Sequence, residues 1–297
     1  MSYKITCAAN AKNTGINDLC QDIGAIVGFM VCPWDYKITT EAAAKLEATY
    51  IAAIHANKAE RVYPFPTVFA HEDGSEEAVY QDGAIGSIFV RDGKMVWTFT
   101  FESSRYKHQA LKSHSNKKVS ILFFDQQGRI QGVTNEAEEL LAINMQRFTV
   151  EKLMVNNGTE GTTTKVSMQF DDALQFQMSP AVVVPSFSAK NLEGLKDVEL
   201  MLVSSTASLV VVRAAILQSG NAVLGLSEVV GEDWAIKNAA GVTQTPTTIT
   251  DNSDGTYNFA FGTPLVAGTY SANLLTPAAM TTKGYESTGA TSTFTIS

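Results

Sequence analysis

The sequence is poor in the residues that build disulfide frameworks and metal centres. Its 297 residues include three cysteines and four histidines. Cys7, Cys20 and Cys32 lie about a dozen residues apart and have no counterpart later in the chain. A disulfide framework uses an even set spread over the fold, and zinc sites contain closely spaced Cys or His pairs. We therefore expect reduced cysteines, no metal ligands and folding in the cytoplasm.

Long apolar runs and catalytic motifs are also missing. No stretch reaches the roughly 18–20 consecutive apolar residues that cross a bilayer, and the start MSYKITCAANAKNTG is polar where a secretory signal has its apolar core. We therefore expect no membrane partner. The sequence has no GxxxxGK[ST], GxGxxG, GxSxG or HExxH motif. We predict no catalytic residues, no cofactor and no enzymatic activity, with an enzyme in residues 1–185 as a rival hypothesis.

Charge is unevenly distributed. The chain has 30 acidic and 22 basic residues and a net charge of −8, which argues against a protein whose task is to bind phosphate backbones. The exception is a basic cluster at 105–118, formed by Arg105, Lys107, Lys112, Lys117 and Lys118. Three interpretations stay open: contact with an acidic face of a neighbouring subunit, contact with a single-stranded nucleic acid, or a solvated helix face. We take the five residues as candidate subunit contacts and predict no specific nucleic-acid binding.

Residues 1–185 predict an α+β domain made mainly of antiparallel sheets with one long helix. Thr39 or Thr40 can cap this helix, which continues through AAAKLEATYIAAIHANKAER until Pro64 ends it. One hairpin is predicted with its turn at Asp92-Gly93, because glycine accepts the positive φ of such turns. VSILFFD predicts a buried strand, and FTVEKLMV with TTKVSMQF predicts a second, long-looped hairpin.

Residues 186–297 predict an all-β sandwich of seven short strands without a helix. The composition shifts to Ser, Thr and Ala here, and we place the domain boundary near 186–197. DNSDGTYNFAF (251–261) and AGTYSANLL (267–275) resemble the late strands of bacterial and phage immunoglobulin-like domains. The resemblance implies that Tyr257 and Tyr270 pack in the core and that their hydroxyl groups bond to backbone.

The order of elements in residues 1–185 is similar to that of phage tail-tube proteins, with one long helix among paired strands with long hairpin loops. That resemblance implies subunits that close into rings, often with an immunoglobulin-like domain appended. We therefore predict a virion structural protein, a tail-tube or ring-forming tail or head component that is assembled in the host cytoplasm. Its expected partners are further copies of itself and other virion proteins. The alternatives are a capsid or head-decoration protein and, from another class, a carbohydrate-binding or adhesive module.

Overall fold

Strands dominate the computed structural model, which describes residues 24–83, 86–217, 219–275, 277–287 and 290–297. The chain divides into two compact units, Met1–Glu193 (unit 1) and Gly194–Ser297 (unit 2). Within the described residues the five α-helices contain only four to eight residues each. The predicted α+β domain with one long helix is therefore wrong, because both units are mostly β.

Unit 1 contains thirteen strands and four short α-helices in its described part. The strands are β1 (Ile26–Cys32), β2 (Lys37–Ile38), β3 (Tyr63–Pro66), β4 (Val68–Asp73), β5 (Val79–Gly83), β6 (Gly86–Arg91), β7 (Val96–Glu102), β8 (Val119–Asp125), β9 (Ile130–Thr134), β10 (Leu140–Leu141), β11 (Ile143–Val150), β12 (Thr163–Phe170) and β13 (Pro180–Val183). The helices are α1 (Glu41–Ala44), α2 (Glu47–Ile54), α3 (Arg105–Lys112) and α4 (Ala173–Met178), and a 3-10 turn covers Ala189–Asn191.

Eleven of these strands form one sheet with the order β2-β10-β9-β8-β11-β12-β7-β4. Strand β1 pairs with β8 and β3, and β13 pairs with β9. Strand β8 is central: β1 follows one of its edges, while β11 and β9 share the other. All seven residues of β8 are buried, which confirms the predicted buried strand. Strands β11 and β12 pair antiparallel, which confirms the predicted second hairpin.

The core of unit 1 is aromatic. The ring of Phe29 lies 5.7 Å from Phe99, 5.4 Å from Phe101 and 6.2 Å from Phe148. Tilted and edge-on arrangements at these distances add to the free energy of area burial. Trp97 is also buried, with its ring centroid 5.3 Å from that of Phe123. The sheet therefore encloses a packed interior.

The predicted long helix is divided at Lys45 and Leu46, and tertiary hydrogen bonds explain the division. A continuous helix would direct the carbonyl groups of Ala44 and Lys45 to amides four residues later. Instead, the Tyr50 hydroxyl donates to the Ala44 carbonyl at 2.9 Å, and Ser186 donates both N–H and O–H to the Lys45 carbonyl. Leu46 is extended, with φ −95° and ψ 129°. The Thr40 cap is confirmed, since its hydroxyl oxygen accepts from the Ala43 amide.

Unit 2 consists of two sheets around one core. Its elements are β14 (Lys196–Ser205), β15 (Leu209–Ile216), β16 (Trp234–Asn238), β17 (Thr243–Gln244), β18 (Thr248–Asp251), β19 (Thr256–Ala260), β20 (Gly268–Leu274), α5 (Pro277–Thr282), β21 (Tyr285–Glu286) and β22 (Thr291–Ile296). The sheet orders are β18-β19-β15-β14-β21 and β17-β16-β20-β22. The expectation of seven strands without a helix is wrong, because α5 is present and NAVLGL forms only an isolated bridge at Ala222.

Both tyrosines singled out in unit 2 bond to backbone as predicted. Tyr257 is fully buried and donates its hydroxyl to the Val223 carbonyl at 2.8 Å. Tyr270 donates to the Val266 carbonyl at 2.7 Å. A buried phenol without such a partner would leave its hydroxyl group unpaired at a cost of about 1–3 kcal/mol. These contacts fix the two rings in the shared core.

Candidate assembly surface

A long hairpin leaves the main sheet of unit 1, and its turn is not where the sequence predicted it. Strand β6 pairs with β5, whereas β7 pairs with β4. The predicted turn at Asp92-Gly93 is therefore wrong: both residues lie on the return limb, between β6 and β7. Gly93 is needed for another reason, since a Cβ atom there would lie 1.8 Å from the Glu76 carbonyl oxygen. We call residues 74–94 the arm.

The arm exposes large apolar side chains. Every residue of β6 is exposed, with exposed fractions of 68% for Ile88 and 52% for Phe89. Neighbours along a strand point to opposite faces, so both faces of the arm carry an exposed apolar side chain. Tyr80 and Val90 are also more than half exposed. Large exposed apolar groups close together are typical of protein contact sites.

Few contacts hold the arm together. The Tyr80 and Phe89 rings meet edge-on at 5.8 Å, and Arg91 lies 3.3 Å from a Glu76 carboxylate oxygen. At its base, the Glu76 amide donates to the Lys94 carbonyl at 2.8 Å. An isolated two-stranded hairpin is marginally stable in water. A surface that covers its apolar side chains would therefore stabilise it.

The basic cluster 105–118 follows directly after β7. Ser104 caps α3 by accepting from the Lys107 amide at 3.2 Å. Arg105 is exposed in the first turn, and Lys117 is exposed beyond the helix end. These two cations make no ion pair with a residue in the described part of the chain.

The other three cations of the cluster make contacts inside their own unit. Lys107 lies over the Phe101 ring, with Nζ 4.9 Å from its centroid. Lys112 donates to the Val150 carbonyl at 2.5 Å, and Lys118 lies 5.3 Å from the Trp34 ring centroid. Burial lowers the pKa of Lys107, an effect that Glu102 opposes. Carbonyl groups and aromatic rings do not neutralise a cation, so the cluster keeps its positive charge.

The buried titratable groups near this surface are packed rather than reactive. His114 lies against Tyr63 at a ring distance of 4.6 Å, and burial followed by the nearby Lys117 lowers the pKa of His114 to about 4. Burial raises the pKa of the Cys32 thiol, which is not in a disulfide bond. Cys7 and Cys20 lie outside the described residues. No group of three or more His, Cys, Asp or Glu suited to a metal occurs within the described ranges.

Sequence reasoning identified the basic cluster and missed the arm. A signal was present in Ile88-Phe89-Val90, three consecutive apolar residues that follow Gly83 and Gly86 in the sequence. A strand with one buried face alternates apolar and polar residues, so such a run fits either a strand buried on both faces or one that exposes apolar groups. The local pattern does not distinguish these two cases. In the folded chain the three side chains are exposed.

Comparison with known proteins assigns no family to the chain. No family model matches the sequence, and no curated protein sequence matches it. A crystal structure of a C-terminal fragment of the pilus adhesin SpaC from Lactobacillus rhamnosus GG aligns over 95% of this chain and 78% of that chain. Its identity is 10% and its TM-score 0.17, values too low to support an argument about fold or function. No α-helix in the described part of the chain is long and apolar enough to span a bilayer.

Proposed function

We propose that the chain is a structural protein of a virion, a tail-tube or ring-forming tail or head component whose unit 1 associates with further copies of itself. The observation that supports this proposal is the arm, which exposes Ile88 and Phe89 on opposite faces. An apolar hairpin without cover favours association, since burying apolar area contributes about 25 cal/mol per Å². Other virion proteins are further expected partners.

The virion assignment rests on the sequence resemblance to phage tail-tube proteins and immunoglobulin-like domains. The long helix that formed part of that resemblance is absent from the described residues. The likeness that remains lies in the paired strands and the long hairpin. An open sheet edge also suits assembly. Strand β4 is the last strand in the order of the main sheet, where it pairs only with β7. A second copy can cover such an edge and the hairpin beside it.

Electron microscopy and sedimentation of the full chain test the proposal. We expect rings or tubes whose formation depends on protein concentration. The variant I88E/F89E should stay folded and lose assembly, because both side chains are exposed within the subunit. Val266→Glu is the matched control, since Val266 is 77% exposed in unit 2. A native protein that stays monomeric at every concentration and salt tested would refute the proposal.

A further inference from the structure

We propose that the arm of one copy docks on the basic cluster 105–118 of the next copy. This inference rests on the proposed self-assembly and names the two surfaces that meet. Its occupant is a second copy of this chain, because one chain carries both members of a complementary pair. The arm and the cluster have opposite net charges, and each lies beside exposed apolar side chains.

The charges of the two surfaces are opposite. The arm has four carboxylates and two cations, a net charge of −2, and the cluster has five cations and no carboxylate. Two of the arm carboxylates already have partners: Glu76 pairs with Arg91, and Asp82 accepts from the Ser87 hydroxyl. The carboxylates of Glu77 and Asp92 have no such partner among the described residues and are exposed.

The surface beside the cluster offers apolar contact as well. A groove of about 520 Å³ lies next to the start of α3. It is lined by Thr67, Val68, Phe69, Glu102, Ser103 and Ser104. Phe69 is 76% exposed there, and Tyr106 is 36% exposed on α3. The exposed apolar side chains of the arm therefore have Phe69 and Tyr106 as apolar counterparts beside the cations of the cluster.

Within one subunit the arm and the cluster adjoin opposite ends of β7. The arm precedes β7 and the cluster follows it, and a strand of seven residues spans roughly 20 Å at about 3.3 Å per residue. Charges that far apart are screened from each other at physiological salt, where the Debye length is about 8 Å. Contact between two different patches is heterologous, and such contacts give rings when the rotation closes and filaments when it does not.

Charge exchange between the two surfaces tests the pairing. The arm variant is E77K/D92K, and the cluster variant is R105E/K117E; all four side chains are exposed and form no ion pair or side-chain hydrogen bond among the described residues. Each variant alone should associate at least tenfold more weakly than the native chain, because like charges then face each other. A mixture of the two should recover assembly, since every contact in an alternating ring again joins opposite charges. Lys237→Glu, in unit 2, controls for added negative charge.

Sedimentation and dichroism on the same samples separate the possible outcomes. Weakened single variants with a recovered mixture support the pairing. Native assembly that neither variant weakens, or a mixture that does not recover while both variants are folded, overturns the pairing and leaves the proposed function standing. A native chain that never assembles overturns both. If a single variant fails to fold, the combined four-residue variant replaces it, and its failure to assemble when folded also overturns the pairing.

Discussion

Two hairpins of unit 1 are built from similar residues and have opposite surroundings. In β12, partly buried and buried positions alternate along the whole strand, and in β11 they alternate on either side of the exposed pair Gln146 and Arg147. In β6, all six residues are exposed although three of them are large and apolar. Strand β12 has β11 on one edge and β7 on the other. Strands β5 and β6 pair only with each other among the described strands.

The difference shows what an apolar residue in a hairpin contributes. Inside the sheet, Phe148 is buried and contacts Phe29, so it stabilises its own subunit. In the arm, Phe89 meets Tyr80 alone among the aromatic rings of the described chain and leaves half of its surface to solvent. An exposed apolar group of this kind contributes to stability only when a second surface covers it. A hairpin that is buried in the sheet, such as β11–β12, stabilises the fold of its own subunit. We infer that the arm instead forms contacts between subunits.

The largest expected effect compares two phenylalanine truncations. Phe148→Ala should lower the free energy of unfolding by about 3–5 kcal/mol, the usual cost of a buried Phe truncation. Phe89→Ala should lower it by less than about 0.5 kcal/mol, as expected for exposed sites, and should weaken assembly instead. Denaturant unfolding and sedimentation of both variants check this. Similar losses of stability would contradict the distinction between the two hairpins.

A second prediction concerns His114, an ionisable side chain that packs inside unit 1 and is not exposed like the side chains of the arm. Burial holds the pKa of His114 at about 4, below the value of about 6.5 for an exposed histidine. The unfolded chain therefore binds the proton first, so the stability from His114 is complete above about pH 6.5 and is lost as the pH falls toward 4. We expect a loss of about 2 kcal/mol by pH 4.5.

His114→Phe should remove this part of the pH dependence while keeping the contact with Tyr63. Denaturant unfolding at pH 7 and pH 4.5 gives the change in the free energy of unfolding between the two pH values. The difference in this change between the native chain and the variant is the contribution of His114, since the carboxylates titrate alike in both. His55→Phe serves as the comparison, because burial lowers the pKa of His55 less strongly than that of His114. Equal pH dependence in the native chain and His114→Phe would show that His114 is not packed as described.

The smallest expected effect concerns the junction of the arm with the sheet. Gly93→Ala would place a Cβ atom 1.8 Å from the Glu76 carbonyl oxygen, so the two limbs must separate and the Glu76 to Lys94 bond must lengthen. We expect about tenfold faster hydrogen exchange at the Glu76 amide, or about 1.4 kcal/mol of local stability. Gly161→Ala, which meets open space, should leave exchange unchanged. Unchanged exchange in Gly93→Ala would show that the limbs are not in close contact.

Local pattern alone was enough for several elements of this protein. The buried strand β8, the cap at Thr40 and the pairing of β11 with β12 were predicted from the sequence pattern, and each depends on residues close in sequence or on a short motif. The bonded hydroxyl of Tyr257 was implied instead by the resemblance to immunoglobulin-like domains, and its acceptor, Val223, lies 34 positions away. Capping residues, alternation and turn motifs act over a few residues, so they are visible without the fold.

Tertiary structure decided the helix and the arm. The alanine-rich segment after Thr40 has high helix propensity, yet the hydroxyl groups of Tyr50 and Ser186 donate to the carbonyl groups that a continuous helix needs. Ser186 lies 141 positions from Lys45 along the chain, so no local window contains this competition. The exposure of Phe89 was equally invisible, because an apolar run has the same sequence pattern when it is buried on both faces and when it is exposed.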